Sequence, residues 1–142
     1  MNITPLLINS CEHETGLKKI LIVDDETAFL LALKKILHKP EVWVDTAETV
    51  EDATALLSER KYDAVITDMR LTTIFGEEGL EILRYAKDHN PTTKVIILTA
   101  YGNSNVLEKA IRSGVDLFFE KPVSSDVLIG ALSCWGFQCQ TG

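Results

Sequence analysis

The sequence predicts an α/β fold in which a parallel sheet is covered on both faces by helices, and two observations support this. Short apolar runs rich in β-branched and aromatic residues recur along the chain, and each is followed by a segment of helical periodicity. Strict alternation of strands and helices favours parallel strands joined by right-handed crossovers. The five predicted strands are Ile20–Val23, Val42–Val44, Ala64–Ile66, Val95–Leu98 and Val115–Phe119.

The helices are recognised by apolar residues spaced three or four positions apart. Their predicted inward faces, in chain order, are Phe29, Leu33, Ile36 and Leu37; Val50, Ala53, Leu56 and Leu57; Leu80, Leu83 and Ala86; Val106 and Ala110; and Val127, Leu128, Ala131 and Leu132. Helix-capping preferences predict the ends: Thr49 caps the second helix, Asn90-Pro91 closes the third, Asn103 or Ser104 begins the fourth, Gly114 ends it, and Ser124 or Ser125 begins the fifth.

Composition limits the function classes. The 142 residues are 46% hydrophobic and 25% charged, which suits one globular domain, predicted at 18–135 with an N-terminal extension at 1–17 and a tail at 136–142. The net charge of −7 argues against nucleic-acid binding, and no apolar run approaches the roughly 18 residues of a membrane span. The first residues lack the basic segment of a signal peptide, and the three cysteines show no metal-binding spacing. We therefore expect a cytoplasmic protein with reduced thiols.

Polar residues follow four of the predicted strands. Asp24-Asp25 follows the first strand, Asp68 the third, Thr99 the fourth and Lys121 the fifth. Because the carboxyl ends of parallel strands meet at one edge of a sheet, these side chains are expected to lie together. Two carboxylates about 4 Å apart repel by roughly 4 kcal/mol at an effective dielectric near 20. A hard divalent cation such as Mg²⁺ would compensate for that repulsion.

These residues carry a family resemblance. The segments ILIVDDE, DAVITDM, ILTAYG and FFEKP occur in this order between Lys18 and Leu132. In this the chain resembles a response-regulator receiver domain of two-component signal transduction, similar to the chemotaxis regulators. The resemblance implies a flavodoxin-like (βα)5 sandwich of three layers with strand order 2-1-3-4-5.

The resemblance also implies roles for the strand-end residues. Asp68 would be the phosphoacceptor, which attacks a phosphohistidine on a sensor histidine kinase or phosphotransfer protein. Mg²⁺ would be held by Asp24, Asp25, Asp68 and the backbone carbonyl of Arg70. Lys121 and Thr99 would contact phosphoryl oxygens. The protein would catalyse only its own phosphorylation and dephosphorylation, and so is not expected to be an enzyme acting on a separate substrate.

A conformational switch is implied as well. Thr99 and Phe118 match the switch pair, through which phosphorylation reshapes the surface of the fourth helix, fifth strand and fifth helix. That surface would engage a downstream protein, an output domain or a second copy of the chain. Lys121-Pro122 matches the cis peptide bond of the family, although X-Pro bonds are cis in only about 5–6% of cases.

The chain departs from the family pattern after Asp68. Leu71-Thr72 stand where Met-Pro is usual, and Gly79 comes about three residues later than expected. Arg70 and Tyr101 match positions that in this family influence dephosphorylation, and a long cation and a ring there predict a longer-lived phosphorylated state. Beyond Leu132, the apolar tail residues Trp135 and Phe137 either pack on the fifth helix or form part of a dimer surface.

The sequence also bears on three other function classes. The spacing from Asp68 to Thr72 imitates the DxDxT motif of haloacid-dehalogenase-type phosphatases, but Arg70 replaces the second aspartate, their general acid. A nucleotide-binding protein would need a glycine-rich phosphate loop after a strand, and none is present. A phosphorylation-independent interaction module on the same fold is the remaining alternative.

Overall fold

The computed structural model describes residues 17–71, 76–100 and 104–137, which form a five-stranded parallel sheet with helices on both faces. The strand order is β2-β1-β3-β4-β5, as predicted. In chain order the elements are β1 Lys18–Val23, α1 Thr27–Leu37, β2 Val42–Ala47, α2 Val50–Glu59, β3 Ala64–Asp68, α3 Glu78–His89, β4 Lys94–Thr99, α4 Ser104–Arg112, β5 Leu117–Glu120 and α5 Ser125–Cys134.

Each face of the sheet has its own hydrophobic core. Leu21 and Val23 point toward α2, α3 and α4, whereas Ile20 and Ile22 point toward α1 and α5. All four side chains are at most 1% exposed, which confirms that this strand is buried on both faces. Burying a side chain of this size contributes about 1.5–3 kcal/mol, so the continuous apolar run of β1 anchors both layers.

The predicted helix ends are confirmed where the structure describes them. The Thr49 hydroxyl accepts a hydrogen bond from the backbone N–H of Asp52, and Ser124 caps α5 in the same way. Gly114 occupies the C′ position two residues after the end of α4, and its φ of 93° lies in the left-handed region that glycine tolerates. The N–H of Val115 then donates to the carbonyl of Ala110, which closes the helix.

Three details of the prediction are wrong. Ile36 and Val127 are 37% and 45% exposed, because the inward face of α1 runs through Leu30, Leu33 and Leu37 and that of α5 through Leu128 and Leu132. The fifth strand begins at Leu117 rather than Val115. The N–H of Val115 is already used in the cap of the preceding helix, so the chain becomes a strand only afterwards.

Two carboxylates hold the amino ends of neighbouring strands together. Asp63, just before β3, accepts a hydrogen bond from the N–H of Lys19 in β1 at 2.8 Å. Asp116, just before β5, accepts one from the N–H of Val95 in β4 at 2.8 Å and a second from Lys87 Nζ at 2.9 Å. Charge-assisted bonds of this kind are stronger than neutral ones, so this edge of the sheet is firmly tied.

The residues after α5 continue the core. Phe137 is 3% exposed and packs with Leu128 and Leu132 of α5, which confirms the first of the two predictions for the tail. Gly136, with φ of 91°, turns the chain, and the N–H of Phe137 donates to the carbonyl of Leu132. Among the described residues, no helix has both the length and the apolar character that crossing a bilayer requires.

Candidate functional site

The strand register brings the predicted site residues to one edge of the sheet. Val23 is paired with Thr67, so Asp24 leaves β1 beside Asp68 at the end of β3. The N–H of Lys121 donates to the carbonyl of Thr99 at 2.7 Å, which ties the end of β4 to the residue after β5. The predicted convergence at the carboxyl edge is therefore confirmed.

Three carboxylates form the centre of this edge. One oxygen from each of Asp24, Asp25 and Asp68 lies within 4.8 Å of the others. Asp24 is buried, Asp68 is partly buried and Asp25 is exposed, so the group opens to solvent on one side. Across residues 17–71, 76–100 and 104–137, no other such group of acidic, histidine or cysteine side chains is found. Such an acidic triad is typical of a metal-binding phosphorylation site.

Lys121 lies between two of these acids. Its Nζ is 2.8 Å from Asp24 Oδ2 and 3.4 Å from Asp68 Oδ2. The side chains of Lys121 and Asp24 are 21% and 1% exposed, so their ion pair is largely shielded from solvent. The predicted cis peptide bond between Lys121 and Pro122 is confirmed.

Asp24 is held from its other side by its own loop. Its Oδ1 accepts a hydrogen bond from the N–H of Glu26 at 2.8 Å, while Oδ2 accepts from Lys121. Neither oxygen caps α1, which begins after Glu26 without a side-chain cap. Asp24 is therefore not the helix cap that an aspartate after a strand commonly is.

The electrostatics favour an added cation. Burial raises the pKa of Asp68, and the charge of Asp24 raises it further, although Lys121 opposes both effects. Burial and the neighbouring Asp24 also raise the pKa of Asp25. Burial works against the charge of Lys121, but its contacts with Asp24 and Asp68 outweigh this and raise its pKa. One ammonium therefore faces three acids, and this set of oxygen donors fits a hard divalent ion.

Comparisons with known proteins agree with this geometry. The profile of the response regulator receiver domain matches residues 20–133. The chain belongs to the receiver domain family. It is 33% identical over 115 residues to the acid tolerance regulatory protein ActR of Rhizobium meliloti, covering 81% of this chain and 58% of ActR. The chain thus spans less than two thirds of that relative.

Two solved receiver domains show the same fold. A CheY-like receiver domain protein from Methanospirillum hungatei has a TM-score of 0.77 and 29% identity, over 84% of this chain and 94% of that one. The beryllofluoride-activated NtrC4 receiver domain, a dimer, has a TM-score of 0.72 and 28% identity, over 83% and 95% of the two chains.

Membership places the chain in two-component phosphorelay signalling, as a domain that is phosphorylated on an aspartate. Receiver domains work with histidine kinases and with output domains. They do not turn over a separate substrate as enzymes do, so the phosphatase alternative suggested by the residues after Asp68 is set aside.

The first turn of α3 packs directly on the backbone of Asp68 in this receiver. The N–H of Gly79 donates to the carbonyl of Met69 at 2.8 Å. A Cβ at Gly79 would lie 2.7 Å from both the carbonyl oxygen of Asp68 and the Cα of Met69. The sequence marked Gly79 as displaced along the chain but gave no sign of this contact, because Gly79 and Asp68 are 11 positions apart and local signals do not record such a contact.

Three of the remaining predicted residues, Thr99, Phe118 and Arg70, lie within the part of the chain that the structure describes. Thr99 is 1% exposed at the end of β4. Phe118 packs on the core cluster that contains Val106 and Ala110 of α4. Arg70 is partly buried two residues after Asp68. Tyr101 and Thr72 lie outside the described residues.

Proposed function

We propose that Asp68 is the residue that accepts the phosphoryl group, from a phosphohistidine on a sensor histidine kinase or phosphotransfer protein. The observation that carries this proposal is the position of Asp68, which ends a central strand beside Asp24, Asp25 and Lys121. Of the three acids, Asp68 combines partial access with direct contact to the lysine. A carboxylate so placed is suited to nucleophilic attack.

The transfer exchanges one bond to phosphorus for another. A carboxylate oxygen of Asp68 bonds to phosphorus as the bond from phosphorus to the histidine nitrogen breaks, which yields an acyl phosphate and a free imidazole. Lys121, already 3.4 Å from Asp68 Oδ2, then pairs with a phosphoryl oxygen, and the Thr99 hydroxyl donates to another.

Mg²⁺ is the proposed ion, since it prefers a few carboxylates together with water and phosphate oxygens. Asp24, Asp25, Asp68 and the carbonyl of Arg70 would hold it, and when bound it would offset the negative charge of the acids and the phosphoryl group. The raised pKa values of Asp25 and Asp68 support this need for positive charge.

The proposed output is a change in the surface formed by α4, β5 and α5. Inward movement of the Thr99 hydroxyl would let the Phe118 ring follow into the space that the hydroxyl leaves. On α4, Leu107 and Ile111 are 38% and 62% exposed and provide apolar contact area for a downstream protein, an output domain or a second copy of the chain. The dimeric NtrC4 receiver domain supports a second copy of the chain as one of these partners.

We place residues 18–135 as the signalling unit and the cytoplasm as its location, where the free, exposed thiol of Cys134 stays reduced. The phosphorylated state is proposed to be long lived, because a long cation at position 70 and a ring at position 101 would obstruct the attacking water. Decay of the phosphorylated form should be faster in Arg70→Asn and Tyr101→Glu than in the wild type. Equal lifetimes in all three proteins would contradict this proposal.

Intact mass after treatment with acetyl phosphate tests the acceptor. With Mg²⁺, the wild type should gain one phosphoryl group, and so should Asp88→Asn, which changes an exposed aspartate of α3 as a matched control. Asp68→Asn should gain none, and EDTA should abolish the gain in the wild type. A wild type that gains nothing, from acetyl phosphate or from a cognate histidine donor, would instead favour the phosphorylation-independent interaction module.

A further inference from the structure

Lys121 has a third neighbour besides its two carboxylate partners. Its Nζ lies 4.9 Å from the centroid of the Phe29 ring, within the distance of about 6 Å over which an aromatic face attracts a cation. Phe29 belongs to the first turn of α1 and packs against the core between the sheet, α1 and α5. Both residues also line a cleft of about 570 Å³ that opens beside the site.

The interaction of the ammonium group with the ring differs in directionality from its hydrogen bonds to the carboxylates. Hydrogen bonds to Asp24 and Asp68 are directional and are lost when the nitrogen moves by about an ångström. Attraction to an aromatic face is broad and has no single hydrogen-bond geometry. Under the proposed function, Lys121 must leave the Asp68 oxygen for a phosphoryl oxygen. The ring can stay in contact with the ammonium throughout that exchange.

We propose that Phe29 is a positioning residue for Lys121. The Phe29 ring holds the Lys121 ammonium over the site before and after phosphoryl transfer. This inference rests on the proposed function of Asp68. Phe29 acts through Lys121, as the wall of the cleft against which the lysine side chain lies. The hydrogen bond to Asp24 sets the starting position of the Lys121 ammonium, and the Phe29 ring stays in contact with the ammonium as it moves toward a phosphoryl oxygen.

Phosphorylation rates in matched variants test this role. Phe29→Leu keeps an apolar side chain but removes the ring, and should lower the rate constant with acetyl phosphate about three- to tenfold. Phe29→Tyr keeps the ring and should restore the rate. Phe137→Leu is the control, because Phe137 packs in the same core with its ring 5.7 Å from Lys18 Nζ, at the opposite end of β1. It should lower Tm and leave the rate unchanged.

A double-mutant cycle separates positioning from packing. In a Lys121→Met background, Phe29→Leu should have no further effect on the rate. The same cycle can be measured by urea unfolding, which needs no phosphorylation. It should show a coupling free energy between the two side chains. An equal effect of Phe29→Leu in both backgrounds, with no coupling in unfolding, would mean that the ring only packs and would overturn the inference.

The outcomes also separate this inference from the proposed function. If the wild type gains a phosphoryl group and Phe29→Leu reacts at the same rate, the role of Phe29 is refuted and the role of Asp68 stands. If the wild type gains none from acetyl phosphate or from a histidine donor, the proposed function falls and the inference falls with it.

Discussion

Replacing Gly79 by alanine should disturb the phosphorylation site through the backbone of its acceptor. The new Cβ would lie 2.7 Å from the Asp68 carbonyl oxygen and from the Met69 Cα, and neither atom belongs to a flexible side chain. Ordinary contact begins near 3.4 Å, so the start of α3 and the end of β3 must part by about 0.7 Å. Overpacking of this kind costs about 1–3 kcal/mol of stability.

The displacement should affect chemistry as well as stability. A misplacement of about 1 Å in a reacting group can lower a rate about a hundredfold, so Gly79→Ala should slow phosphorylation by about tenfold or more. It should also weaken Mg²⁺ binding, because the proposed ligands Asp68 and Arg70 flank the displaced peptide. Urea unfolding, titration calorimetry with Mg²⁺ and the rate with acetyl phosphate measure the three effects.

Gly130→Ala is the matched control, since it makes the same substitution within a helix at a position where a Cβ would meet nothing within 4 Å. There alanine should raise the free energy of unfolding by up to about 1 kcal/mol through helix propensity and leave the rate unchanged. Wild-type stability, Mg²⁺ affinity and rate in Gly79→Ala would refute the argument from close approach.

Three further predictions concern stability. Burial raises the pKa of Asp45, but hydrogen bonds from Tyr62 and Trp43 outweigh it and hold that pKa below its usual 3.8. Asp45 therefore stabilises the fold above pH 3.8, and this stabilisation is lost as the pH falls through the folded-state pKa. Asp45→Asn should lower the free energy of unfolding by about 1.5–3 kcal/mol near pH 7, as measured by urea unfolding. If this difference from the wild type stayed constant down to pH 2, the prediction would be contradicted. Thr49→Ala should cost about 1 kcal/mol through loss of the α2 cap, whereas no change in the urea midpoint would disprove the cap. Gly136→Ala should cost about 1–2 kcal/mol because alanine is strained at φ of 91°, and an unchanged Tm would count against that strain.

The sequence was sufficient for the alternation of strands and helices because the main signals are local, whereas the strand order was implied by the family resemblance. A four-residue apolar run such as Ile20–Val23 is hard to place anywhere but in a strand buried on both faces. Helix caps such as Thr49 and Gly114 are also set by neighbouring backbone groups, so capping rules located them. The convergence of Asp24, Asp68 and Lys121 followed once the strands were taken as parallel.

Other features depend on contacts between distant segments. Ile36 and Leu33 are equally apolar, and only the rotation of α1 against the sheet decides that Ile36 faces solvent. The ring of Phe29 was expected to be one more core residue, and nothing local indicates that it lies beside Lys121, 92 positions away in sequence. A contact between residues so far apart depends on how the elements pack, and the periodicity of apolar residues within one element does not reveal it.

The carboxylates of Asp63 and Asp116 give the sheet two unlike rims. At the amino rim they clamp the N–H groups of Lys19 and Val95, whereas the opposite rim gathers mutually repelling acids. Sliding one strand past its neighbour would break these charge-assisted hydrogen bonds at the amino rim. The amide hydrogens of Lys19 and Val95 should exchange slowly with solvent and at the same rate whatever the state of Asp68. These two amides are therefore an internal reference with which exchange rates at the carboxyl rim can be compared.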